Sequence, residues 1–104
     1  MTADPTAPPA WLMQMSDEDT QFLRRFVLAS GSLKAVAEEY SVSYPTVRAR
    51  LDRLIAKIEA ASDPRITDPF QRKLKVLAAD GQIPAPIARE LLEAYRAAIK
   101  GPKS

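Results

Sequence analysis

The segment Ser32–Ile58, SLKAVAEEYSVSYPTVRARLDRLIAKI, constrains this chain more than any other stretch. Its apolar residues recur at helical spacing on both sides of one short interruption. Leu33, Val36, Ala37 and Tyr40 share a face after Ser32, whose hydroxyl can accept from amides without partners in a helix's opening turn. The pattern breaks at Ser41-Val42-Ser43, where a second Ser stands ready to cap. Pro45 falls in the next helix's first turn, where a missing N–H costs nothing and a fixed φ helps. Val47, Leu51, Leu54, Ile55 and Ile58 then form a second apolar stripe. The spacing predicts two helices joined by a tight turn, with Ala37 small enough to let them cross closely.

Stepping about 100° per residue from Val47 puts the second stripe within roughly −20° to +80°. The far side carries Pro45, Thr46, Ala49, Asp52, Arg53 and Ala56, flanked by Arg48, Arg50 and Lys57. A helix entering a DNA major groove needs this division: one face packed on its own domain, small residues for close approach, and cations for phosphates and base edges. The candidate DNA contacts are Ser43, Tyr44, Thr46, Arg48, Ala49, Arg50, Arg53 and Lys57. Arg48 or Arg53 is suited to guanine, because a guanidinium can engage O6 and N7 together. Ser43 and Thr46 suit backbone phosphate at the helix start, and Lys57 suits phosphates farther along. The same pattern also fits an ordinary amphipathic helix with a solvated basic face.

Upstream, residues 1–15 read as an irregular arm, rich in Pro and Ala and then apolar at Trp11, Leu12, Met13 and Met15. Trp11 either folds back over the core or anchors a second subunit. Ser16-Asp17-Glu18-Asp19 is a helix start: Ser16 caps, Asp19 can return the bond, and the carboxylates face the positive end of the dipole. Phe22, Leu23, Phe26 and Val27 are its expected core face, and Gly31 its stop. Downstream, residues 62–68 form a connector whose prolines oppose helix. Residues 69–100 then read as a two-helix hairpin. Its stripes are Phe70, Leu74, Leu77, Ala78 and then Ile87, Leu91, Ala94, Tyr95, Ala98, with Arg72, Lys73 and Lys75 expected to be solvated. The expected architecture is all-α: a three-helix helix–turn–helix domain over 16–61 and a C-terminal hairpin.

Net charge is +2, but it is unevenly placed. Residues 1–20 carry −4, whereas 21–61 and 62–104 each carry +3. The chain has no Cys and no His, which removes disulfides, thiolate or imidazole zinc sites, and the usual nucleophile–base pairs. No glycine-rich phosphate loop, membrane-length apolar run or secretion signal is present. These features predict a cytoplasmic, non-enzymatic protein without cofactor, metal or membrane association.

The string VAEEYSVSYPTVRARLDRLIAKI is similar to the helix–turn–helix of sigma-factor region 4 and of response-regulator output domains. The small Ala37 and the run Thr46-Val47-Arg48-Ala49-Arg50-Leu51 carry that likeness, while Ser41 stands where the turn usually has Gly. A more specific resemblance, over about Pro9–Ile58, is to a bacterial family of small proteins catalogued as domain of unknown function 2089. It rests on SDED, GSLKAVAEEY and SYPTVRARLDRL. Relatives in that family carry a cysteine-rich zinc ribbon before this module, and with no Cys here that ribbon's role does not transfer. The resemblance implies DNA binding through the helix–turn–helix.

The sequence-based expectation is therefore a transcriptional regulator that reads double-stranded DNA with helix 44–58. It is expected to act as a homodimer, because one small module rarely holds a specific site unaided. The alternative is a helical adaptor that binds a protein of the transcription apparatus and not DNA.

Overall fold

The computed structural model describes residues 7–101, and all regular structure among them is helical. The helices are α1 (Ala10–Met13), α2 (Asp17–Leu28), α3 (Leu33–Tyr40), α4 (Tyr44–Ser62), α5 (Pro69–Ala79) and α6 (Ala85–Lys100). The chain forms two compact units that meet at Ile55–Ala56, within α4. That division lies earlier than the expected boundary after residue 61. The arm is not wholly irregular, since α1 makes one turn there with Trp11 and Leu12 half-buried. The arm's first six residues lie outside the described range.

In the first unit, α2 opens with the expected capping box. Ser16 Oγ accepts from Asp19 N at 3.1 Å, and Asp19 Oδ2 accepts from Ser16 N at 3.0 Å. Helix α2 ends by folding its backbone back on itself: Gly31 N donates to Phe26 O and Ser30 N to Val27 O. Helix α3 starts on Ser32, whose Oγ accepts from Ala35 N at 3.1 Å, and ends the same way as α2. Val42 N donates to Ala37 O and Ser41 N to Glu38 O. That geometry places Ser30 and Ser41 in the left-handed region, at φ of 54° and 56°. Only Ser41–Val42–Ser43 then separates α3 from α4.

Phe22, Leu33, Val36, Ala37, Val47 and Leu54 are buried, in line with the expected stripes. Three residues depart from them, among them Tyr40 of the α3 stripe, which is 40% exposed. Val27 is exposed, because at about 100° per residue it sits well round the helix from Phe22. Ile55 lies at the edge of the α4 stripe and is 43% exposed.

In the second unit, Arg72 holds the end of α4 and the connector together. Its Nη1 donates to Ala61 O at 2.6 Å, and its Nη2 donates to Ile66 O. Arg72 is thus a half-buried tie between chain segments and not a solvated cation, whereas Lys73 and Lys75 are exposed as expected. Asp68 begins α5, with Oδ1 accepting from Phe70 N at 2.8 Å and Gln71 N at 3.2 Å. Its other oxygen accepts from Tyr95 Oη of α6 at 2.7 Å, and the Phe70 and Tyr95 rings lie 4.4 Å apart.

The apolar phase of the hairpin differs from the stripes read in sequence. Leu74 and Val76 are buried while Phe70 is exposed. On α6 the half-buried side is Ala88, Leu92 and Tyr95, and Ile87 and Leu91 are exposed. Helix α6 has two neighbouring apolar stripes, and periodicity alone does not say which one meets α5.

Two outcomes test these ends. Ser41→Gly should stabilise the chain by about 0.5–1 kcal/mol, since the left-handed cost to Ser exceeds the chain entropy Gly adds; denaturant titration showing a loss would refute that account. The Tyr95 hydroxyl, with the capping amides, holds the Asp68 carboxyl below its ordinary pKa. A depressed carboxyl contributes stability above its unfolded pKa of about 4 and loses it as pH falls. Tm should therefore drop in acid, and Asp68→Asn should make that drop shallower.

Candidate nucleic-acid interface

Helix α4 begins on Ser43. Its Oγ accepts from Thr46 N at 3.3 Å and lies 2.8 Å from Thr46 Oγ1, so the two hydroxyls form one polar cluster at the helix start. Both residues are exposed. The positive end of the helix dipole and these donors suit an anion. Tyr44 follows, 53% exposed, and Ala49 leaves the middle of the outer face low enough for close approach.

The cations on α4 divide into two groups. Arg48 and Arg53 are exposed. Arg48 Nη2 stands 3.2 Å from Asp52 Oδ1 one turn on, in a solvated pair of the kind worth about 0.3–0.5 kcal/mol. Such a pair is easily exchanged for a phosphate or a base edge. Asp52 was not among the predicted contacts, although its four-residue spacing from Arg48 is the signal that marks the pairing.

Arg50 and Lys57 are turned to structural use. Arg50 is half-buried, its Nη2 donating to Asp19 Oδ1 at 3.2 Å and its guanidinium 5.7 Å from the Phe22 ring centroid. It ties α4 to the start of α2. Lys57 is 4% exposed, with Nζ 3.5 Å from Asp80 Oδ2 at the end of α5. Its expected role at the phosphates is therefore corrected: the ammonium is enclosed with a carboxylate. Helical phase put Lys57 on a flank, and no local pattern reveals a partner so far along the chain.

Ser43, Tyr44, Thr46, Arg48, Ala49 and Arg53 thus share the accessible part of α4 and its entry. Arg25 pairs with Glu39 of α3 at 2.7 Å and lies 5.8 Å from the Tyr40 ring centroid. No helix among the described residues is long and apolar enough to cross a membrane.

Neither a curated protein nor a solved structure matches the chain. One family model does match, over residues 15–61, and that span holds α2, α3, the three-residue turn and all of α4 but its final residue. Residues 15–61 match the family described as "Domain of unknown function (DUF2089)-HTH", and this part of the chain is a helix–turn–helix module.

Proposed function

We propose that the chain binds double-stranded DNA by laying the first turns of α4 in the major groove, and that it acts as a cytoplasmic transcriptional regulator. The observation that carries this reading is the outer face of α4. Arg48, Arg53 and Thr46 are exposed there around Ala49, on a helix whose other side is buried at Val47 and Leu54. Phosphate contacts from the Ser43 and Thr46 hydroxyls would set the register. Arg48 and Arg53 would then reach base edges.

With Arg50 and Lys57 committed to carboxylates, few cations remain per module. A single copy neutralises few phosphates and holds DNA weakly, which favours a homodimer on paired half-sites. The reading is of a binding protein, with no catalytic step assigned to any residue.

Fluorescence anisotropy with a mixed-sequence duplex at several salt concentrations tests it. Micromolar binding is expected, with log affinity falling by about 0.9 per phosphate neutralised for each decade of salt. No binding even at low salt would overturn the reading and point to a protein partner.

Substitutions then separate contact from scaffold. Arg48→Ala with Arg53→Ala should abolish duplex binding and shift stability by less than about 0.5 kcal/mol, the scale of an exposed ion pair. Arg50→Ala should instead cost about 1–3 kcal/mol, because it withdraws a partner from the buried Asp19 carboxylate. The reverse ranking in thermal denaturation would mean that the two groups of arginines have been assigned the wrong way round.

A further inference from the structure

Beside α4, within the helix–turn–helix unit, a cleft of about 500 Å³ opens between the start of α2 and the end of α3. That volume lies in the range of small-molecule sites, roughly 300–1,000 Å³. Its floor is apolar: Phe22, Tyr40, Val42 and Val47. The Phe22 and Tyr40 rings are stacked, 14° apart with centroids at 6.4 Å, and Phe22 and Val47, at 4% and 2% exposed, close the base of the cleft. Tyr40 and Val42 are both exposed, at 40% and 43%.

The rim carries charge of both signs. Asp17 and Glu18 stand on the α2 side, and Arg50 and Arg53 on the α4 side. Arg50 is already held by Asp19. Among the described residues, no ion pair joins Asp17, Glu18 or Arg53 to another side chain. The two carboxylates lie in the first turn of α2.

We propose that this cleft binds a small zwitterion with an apolar body, of the class of a short apolar peptide with free termini. The ammonium would meet Asp17 and Glu18, the carboxylate would meet Arg53, and the apolar groups would lie on the exposed Tyr40 and Val42. A simple anion fits poorly because two carboxylates face it, and a simple cation fits poorly because Arg53 does. Only a ligand with both charges answers both walls. Because Arg53 and Thr46 also belong to the proposed DNA face, an occupied cleft competes with the duplex. That linkage, unlike the binding itself, rests on the DNA reading.

The test is an amide NMR titration of the full chain with the dipeptide Phe-Leu, without DNA. Its N-acetylated and C-amidated forms serve as controls, and Glu18→Gln as the variant. Saturable shifts are expected around residues 17–22, 40–47 and 50–53. Each blocked dipeptide, and the variant with free Phe-Leu, should bind about tenfold more weakly, the loss of one charge-assisted contact. Absence of saturable shifts, or equal binding by the blocked forms, overturns the proposal.

A duplex titration at saturating Phe-Leu should then show weakened DNA affinity. Unchanged affinity overturns the linkage alone. Failure of Phe-Leu to bind while the duplex still binds refutes the cleft alone. Failure of the duplex while Phe-Leu binds refutes the DNA reading alone.

Discussion

The helix–turn–helix unit depends on one buried carboxylate. Asp19 is 5% exposed, closes the capping box of α2 through Ser16 N, and receives Arg50 of α4. A buried carboxylate is costly unless every lone pair finds a donor, so its position dictates where those donors stand. Here they come from both ends of the unit: backbone at the start of α2 and a guanidinium near the middle of α4. The rotation of α4 about its axis is thereby fixed twice, once by Val47 and Leu54 in the core and once by Arg50 at the edge. That rotation decides which residues are left facing outward.

The second constraint is how the helices stop. Helices α2, α3 and α5 all end with a backbone fold-back whose first turning residue takes a left-handed conformation. After α5 that residue is Gly81, at φ 77°, the residue best able to adopt it. After α2 and α3 it is Ser30 and Ser41, which carry the steric cost of a Cβ. The tight α3–α4 turn is kept nonetheless, because Ser43 begins capping the next helix two residues later. The turn's length is set by back-to-back cap requirements, and Ser41 bears the strain.

Much of this was legible in the sequence because it is local. Caps, breaks and the stripes Leu33–Val36–Ala37 and Val47–Leu54 act over seven residues or fewer, and the structure realises each of them. What periodicity left open is which of several permissible faces is buried. Helix α6 illustrates the difficulty: Ile87 and Leu91 on one stripe and Ala88, Leu92 and Tyr95 on the next are both apolar. The choice was made by the Tyr95 hydroxyl reaching Asp68 and its ring reaching Phe70. Such pairings join residues far apart in the chain and leave no local trace.

The same distinction governs the candidate interface. Four cations on α4 look equivalent on a helical wheel, yet two of them, Arg50 and Lys57, face carboxylates on other helices, and Arg48 and Arg53 do not. Charge counted along a helix therefore overstates what is available to a ligand, because long cationic side chains are also how a small domain joins its helices. Sorting them requires knowing where Asp19 and Asp80 lie in space, and both sit at helix ends for reasons of capping and termination. The residues that end and begin helices in this chain thus select, from across the fold, which arginines remain to meet a partner.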